Sequence, residues 1–450
     1  MKLRGFPLLA GSLLLAVVAG AATRPHYGGT LRVCLRAAPT SLDPDQQDWN
    51  ASRNLFSLIF DTLATLDDQG RPQPALATAW QAGSGNQRWQ FWLRRGITFA
   101  DGTELNADVA AASVRAANPT WKVFSTGDAV VIERDSPDPD LPAELALARN
   151  SIVEREGGKI LGTGPFVVTQ WDPGKKLVIT ARDDYWGGRT FLDSIEVELG
   201  KPFREQMVAF DLGKAQVIEV APEQARGAAA EGRRIELSAP IELVALVFNR
   251  DPQSVEDSKQ REALSLSIDR RVLNAVVLQN GGDPAGSLLP NWMTGYAFLF
   301  PADVDLLGAQ QERAEIPETT VWKLGFDAND PTAQVLAERI ILNARDAGLR
   351  LQLASGAADV RLVRVPLVSL DDAVALTELT AALGVPTPKI NGDSVDDLFV
   401  AESALLKSQR VIPLLHLRMA WAVSKTVKDW SKACSGAWRL PDVWLAAEQP

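Results

Sequence analysis

From Ile241 to Phe248 the stretch "IELVALVFNR" (241–250) is apolar at almost every position. A strand with one wet face alternates apolar and polar residues, whereas a strand apolar at consecutive positions is covered on both faces. This run therefore calls for a sheet with helices on each side, and the rest of the chain supplies them. "EDSKQREALSLSIDRRVLNAVVLQNGG" puts Leu264, Ile268 and Val272 on one helical stripe and stops at Gly281-Gly282. "DPTAQVLAERIILNARDAGLRLQL" reads as a helix opening with Pro331, stopped by Gly348 and followed by a strand. Nearer the start, "GGTLRVCLRAAPTSLDP" predicts a strand from Thr30 to Leu35 that breaks at Pro39 and Pro44. In "NASRNLFSLIFDTLATLDDQG" Leu55, Ile59 and Leu63 recur at helical spacing, and Asp68-Gln69-Gly70 closes the segment. "RWQFWL" alternates as a half-buried strand, and Asn106 is placed to cap a helix with Asp108 in its first turn. A helix is expected from about Glu205 to Leu212, and a proline-rich loop at "DSPDPDLP" (135–142). Alternating helices and strands make this an α/β chain.

"GTGPFVVTQWDPGKKLVITARDDYW" (162–186) reads as a β-hairpin. Pro173 fixes φ and Gly174 accepts the positive φ of the turn, between runs rich in β-branched and aromatic residues. The reason for ending on Tyr185 and Trp186 is not visible in the hairpin itself.

The first 21 residues read as a secretory signal peptide cut before Ala22. Lys2 and Arg4 precede the apolar run Phe6 to Val18, and Ala19-Gly20-Ala21 follows. The mature chain is thus expected outside the cytoplasm, in two or three domains by length. Its formal charge moves from −10 to −12 on losing Lys2 and Arg4. Acidity without a basic stripe argues against nucleic acid and against anionic membranes. Two cysteines, Cys34 and Cys434, are candidates for a disulfide in an oxidising compartment, or else two separate buried thiols.

Catalytic patterns are missing. The two histidines, His26 and His416, are far apart, and His416 sits in the apolar "VIPLLHLRMAW" as a structural histidine. The sequence holds no HExxH, CxxC or G-x-S-x-G pattern, so no metal or cofactor is expected and an enzyme is not. "GTGPFV" begins like a dinucleotide fingerprint, but β-formers follow where a helix would have to start.

The quoted segments, taken in order, resemble the family 5 extracytoplasmic solute-binding proteins, the oligopeptide- and dipeptide-binding components of ABC importers. The resemblance rests on "GGTLRV…PTSLDP", "LIFDTLATLDDQGRPQPALATAW" (58–80), "RWQFWLRRGITFADGTELNADVAAA" (88–112) and the 162–188 hairpin. It continues through "LVFNR" (246–250), "REALSLSIDRRVL" (261–273) and "VIPLLH" (411–416). It implies a two-lobed periplasmic-binding-protein-like fold of the large three-subdomain type II variant, with mixed sheets and a hinge. Lobe 1 would comprise 28–244 plus 415–450, with a subdomain near 60–160, and lobe 2 would be 245–414. "ELVALVFNR" and "RVIPLLHL" would be the crossovers. The implied partners are a peptide-like or other small solute and an ABC permease, with the protein a monomer.

Two departures bear on the ligand. The family's W-x-x-D-x-x-D-P-like stretch, whose aspartate pairs with a peptide's amino terminus, is here "ADVRLVRVPLVSLDDAVAL" (358–376). Asp371 and Asp372 are the nearby substitutes for that aspartate, in what reads as a solvated turn. The family's G-[ED]-x-D is "GKAQ", with Gln216 in place of the acid. The ligand-facing candidates are Trp49, Asn50 and Ser52 in one loop-like segment, Asn249, Trp292 with Tyr296, Asp371, Asp372 and His416. A divergent two-lobed scaffold without transport is the alternative reading, and a secreted hydrolase a further one.

Overall fold

The computed structural model describes residues 24–45, 49–157, 159–354, 356–392, 394–430 and 437–446. The signal-peptide segment and Cys434 lie outside these residues. Two long antiparallel strands, Ile235–Phe248 and Val411–Val423, carry the architecture. Both belong to one 11-stranded mixed sheet. On one side, Val217–Val220 pairs with the far end of Val411–Val423, followed by Thr30–Cys34, Ser194–Glu198, Lys176–Ala181 and Phe166–Asp172. On the other, Val360–Pro366 pairs with Ile235–Phe248, followed by Trp322–Gly325 and Leu351–Leu353.

The consecutive apolar run does what its pattern requires. Val244, Leu246 and Phe248 enter one core with Leu264, Leu336 and Ile340, contributed by helices Val255–Ser267 and Pro331–Asp346. Leu243, Ala245 and Val247 enter another, with Leu376 and Leu379 of helix Asp372–Leu383 and Leu398 and Leu405 of helix Val395–Lys407. Each such side chain stabilises the fold by about 1.5–3 kcal/mol relative to exposure, so a polar residue at any of them would unsettle one of two packed layers.

A third core lies around Leu31, Val33, Leu55, Phe56, Phe166 and Ile195, and it also takes Trp421, Val427, Trp430, Trp438 and Val443 from the end of the chain. A separate 4-stranded sheet, Ala77–Ala82, Arg88–Leu93, Ala129–Glu133 and Lys122–Thr126, is covered by helix Ala107–Ala117. That helix is capped by Asn106, whose side chain accepts from the Val109 N–H as its sequence implies.

The ladder between the two long strands is irregular from Leu237 to Glu242. Pro240 has no N–H to donate there. The Met419 N–H opposite goes instead to the Ser238 hydroxyl at 2.9 Å. The backbone is thus held across the interruption by a side chain rather than by a continuous ladder.

Two helices differ from the sequence reading. The first runs Trp49–Ile59 and does not reach Leu63. The Gly164 N–H donates to the Ile59 carbonyl at 3.0 Å, and a Cβ on Gly162 would lie 2.1 Å from that same oxygen. The glycines of "GTGP" therefore sit where backbone meets backbone and end the helix. The stripe Leu264–Ile268–Val272 is broken after Ser267, because Ile268 is extended and the Asp269 carboxylate caps a new turn through the Val272 N–H. The hairpin is as read, with Gly174 at φ 70° and the Lys175 N–H donating to the Asp172 carbonyl.

Cys34 is a free thiol packed among Ala215, Ile218, Val220 and Ala422. Burial, with Glu198 and Glu219 nearby, pushes the thiol up to about 11. In a Cys434→Ser protein, Cys34 is expected to ignore Ellman's reagent at pH 8 in the native fold and to react fully on unfolding. Prompt native reaction would contradict this packing.

Candidate functional site

Asp61 follows the terminated first helix, and it explains the end of the hairpin motif. Its carboxylate accepts from the Thr163 hydroxyl at 3.0 Å, the Tyr185 hydroxyl at 3.0 Å and the Trp186 indole N–H at 2.9 Å. Burial raises the Asp61 carboxyl above the ordinary range, against the pull of these three hydrogen bonds and of Arg182. "DTLA", "GTGP" and "DYW" are thus three ends of one knot, which sets the wall of a cavity.

That cavity has a volume of about 390 Å³. One side of its wall includes Ser57, Phe60, Thr62, Leu66, Ser151, Tyr185 and Trp186, and the other includes Leu367, Val368, Ser369 and Leu370. Strand Val360–Pro366 delivers the second wall at its C-terminal end. The polar groups have defined roles. The Ser57 and Thr62 hydroxyls donate to the Asn54 and Ala64 carbonyls, so their oxygens remain as acceptors toward the cavity. The Ser369 oxygen accepts from the Asp371 N–H, which leaves its own hydrogen to donate.

The two sides also touch around this cavity. Arg149 pairs with Glu378 at 2.5 Å. Ala143 and Leu147 bury themselves against Val374. Gly70, at φ 78°, lies so near the second lobe that a Cβ would be 2.2 Å from the Leu370 carbonyl oxygen.

A larger cavity of about 630 Å³ lies between Arg36 and the other face of the second lobe. Two of its cations sit beside acids, while Arg361 on the same wall has no ion-pair partner among the described residues. Arg364 bonds Glu242 at 2.6 Å and Asp330 at 2.9 Å, while Arg36 stands 3.8 Å from Asp327. Burial works against the Arg364 charge, and these two carboxylates more than restore it. A wall this rich in charge suits an uncharged solute less well than the hydroxyls and aromatic rings of the smaller cavity.

The residues singled out from sequence do not converge. Trp49, Asn50 and Ser52 begin helix Trp49–Ile59 instead of forming a loop, and their side chains lie outside the described residues. Asn249 lines the larger cavity and donates to the Ala358 carbonyl. Trp292 donates its indole N–H to the Pro240 carbonyl at 3.0 Å, bracing the interrupted ladder. Tyr296 is buried, donates to Glu402 at 2.7 Å and packs edge-on against Phe300 and Phe399. His416 is buried beside the Leu288 carbonyl at 2.9 Å, and desolvation pushes it down to about 4. Asp371 caps helix Asp372–Leu383 through the Val374 N–H, and both it and Asp372 are partly buried at the lobe contact, which corrects the solvated-turn reading. Gln216 accepts from the Arg32 N–H at 2.8 Å, doing as an amide what a carboxylate would do there. The sequence reading missed Asp61, Ser57, Thr62 and Ser369; the lone acid inside "SLIFDTLA" is the signal that marks Asp61.

A sequence model described as bacterial extracellular solute-binding proteins, family 5 Middle, matches residues 71–364. The chain belongs to this family. It is 35% identical over 201 residues to uncharacterized protein YhjP of Bacillus subtilis, covering 41% of this chain and 34% of that protein. Over 406 residues it is 22% identical to probable di/tripeptide-binding protein 5 of Pseudomonas aeruginosa, covering 78% and 76% of the two chains. Its fold matches that of a dipeptide-binding protein from Pseudoalteromonas sp. SM9913 in complex with Met-Leu. The TM-score is 0.80 at 16% identity, covering 93% of this chain and 100% of that one. The fold is the two-lobed one of periplasmic binding proteins.

Two substitutions separate scaffold from cleft. Asp61→Ala leaves one buried and two partly buried donors unmatched and is expected to lower stability by about 2 kcal/mol in urea unfolding, with Asp61→Asn milder. Gly70→Ala is expected to lose about 1 kcal/mol in urea unfolding to its positive φ and, beyond that, to fail to close, read as a larger radius of gyration in solution scattering. Unchanged scattering would show that the hairpin yields to the added methyl.

Proposed function

We propose that this protein receives a small, uncharged solute between its lobes outside the cytoplasm and delivers it to an ABC permease. Family membership supports the class, and the names of relatives that bind di- and tripeptides support a solute of that size. One observation carries the ligand chemistry: the described walls of the 390 Å³ cavity offer hydroxyls and aromatic faces, while Asp61 is engaged by three protein donors. A buried ammonium needs a paired carboxylate, and leaving it without one costs several kcal/mol. The volume is near the lower end of ligand cavities, which run from about 300 to 1,000 Å³. Lobe 1 is taken as 28–244 plus 415–450, with its subdomain near 60–160, and lobe 2 as 245–414. Export by the segment 1–21 and a monomeric state belong to the same reading. The interrupted strand pair suits hinge closure around the solute.

A thermal-shift screen tests this. Neutral solutes, acylated peptides and sugars should include one that raises Tm, by the equivalent of about 2.7 kcal/mol at 100 times its Kd. Unblocked di- and tripeptides should shift it little. Strong stabilisation by unblocked peptides would overturn the uncharged-ligand reading, and no stabilisation by any member would favour a scaffold without transport.

A further inference from the structure

Outside the cavity the lobes meet in a seam that carries more carboxylates than cations. The first lobe's proline-rich segment contributes Arg134, Asp138, Asp140, Glu144 and Arg149, and the start of helix Asp372–Leu383 contributes Asp371, Asp372 and Glu378. The two guanidinium groups are shared in a chain. Arg134 bonds Asp138 at 2.8 Å and Glu144 at 3.1 Å, and Arg149 bonds Glu144 at 3.0 Å and Glu378 at 2.5 Å. Arg134 is also stacked on Trp121, 4.2 Å from the ring centre, which fixes it in place. The hairpin that presses Gly70 on Leu370 brings Asp67, Asp68 and Arg71, but Arg71 is bound to Asp67 and Asp68 to Arg439. Among the described residues Asp371 has no ion-pair partner, and its carboxylate serves as a helix cap. Between these charges Ala143, Leu147 and Val374 form a dry contact.

We infer that this seam is a latch tightened by mild acid: neutralising Asp138 and Asp371 favours the closed arrangement of the lobes and so retention of the solute. Retention rests on the function proposed above, whereas the closure equilibrium does not. Burial, and then the charges of Glu144 and Asp140 against the single cation Arg134, push Asp138 up to about 6. Burial, and then Asp372 and Asp138, push Asp371 up to about 6. With the lobes apart, Asp371 loses the Gly70 hairpin that covers its backbone, and the Asp138 charge, and returns toward about 4. Asp138 keeps Glu144 and Asp140 beside it and returns less far. The closed form therefore holds more protons, gains as pH falls through about 6, and loses that gain as pH rises above it. Between pH 7.5 and 5.5 the closed-to-open ratio should rise about 4-fold if one carboxyl responds and about 16-fold if both do.

The test uses nitroxide labels at Ala112 and Ala382, both exposed, in a Cys34→Ala/Cys434→Ser background, with interlobe distances measured by pulsed electron paramagnetic resonance and no solute added. The short-distance population should grow at pH 5.5. In Asp138→Asn/Asp371→Asn it should be large at both pH values, because the amides carry no charge and Asn still caps the helix. The single Asp371→Asn protein, expected to lose about 4-fold of the response, serves if the double variant unfolds. Equal populations at both pH values, or an undiminished response in the Asn variants, would overturn the latch. A solute found by thermal shift together with no pH response would sink the latch and leave the binding function standing. A pH response with no solute found supports the latch and counts against the function.

Discussion

The structure depends on two long antiparallel strands at the middle of its main sheet. Because Ile235–Phe248 and Val411–Val423 sit side by side there, the strands on either flank are joined through hydrogen-bonded backbone. An intact ladder resists bending, since each lost backbone bond costs about 0.5–1.5 kcal/mol net, and more when its groups stay dry. Bending therefore costs least where the register already shifts, between Val244 and Ala245 and, over a longer stretch, between Leu237 and Glu242. There Pro240 withholds a donor, Ser238 answers Met419 with a hydroxyl, and the Trp292 indole holds the Pro240 carbonyl. A bond to a side chain can be remade at a new angle by rotating χ1, which a backbone ladder cannot do.

The two sides of this hinge handle charge differently. On the side of the larger cavity, Arg364 is enclosed by Glu242 and Asp330, one cation held between two carboxylates of its own wall. Around the smaller cavity the committed acid is Asp61, and its partners are neutral donors from the same lobe. The surplus of carboxylates is displaced to the rim, where the lobes make and break contact. Walls set by one lobe's internal bonds keep their shape when the other lobe moves, so the receptor surface is organised before any solute arrives.

Much of the architecture was legible in the sequence because burial leaves a period. The unbroken apolar run at 241–248 required two covering layers, and it has them in the two cores on either side. Asn106, Pro331 and Gly348 marked helix ends because capping is local chemistry. The first helix was read too long because its end is set by Gly162 and Gly164, about a hundred residues away, and no local pattern carries that information. The site was the least legible part. Tyr296, Trp292 and His416 look available as side-chain types, but each is occupied by a partner far along the chain: Glu402, Pro240 and Leu288. The loop at 135–142 looked like a mere connection, yet it leads into the segment that meets the second lobe.

The core around Leu31, Val33 and Phe56 is finished by Trp421, Val427, Trp430, Trp438 and Val443. The part of the molecule that begins the chain is thus the last part that can be completed. While the polypeptide is being made, its N-terminal half has a sheet with an apolar face uncovered and no segment yet available to cover it. The export proposed for this chain would benefit from such an order of assembly, because this core cannot close until the C-terminal tryptophans, which are made last, arrive.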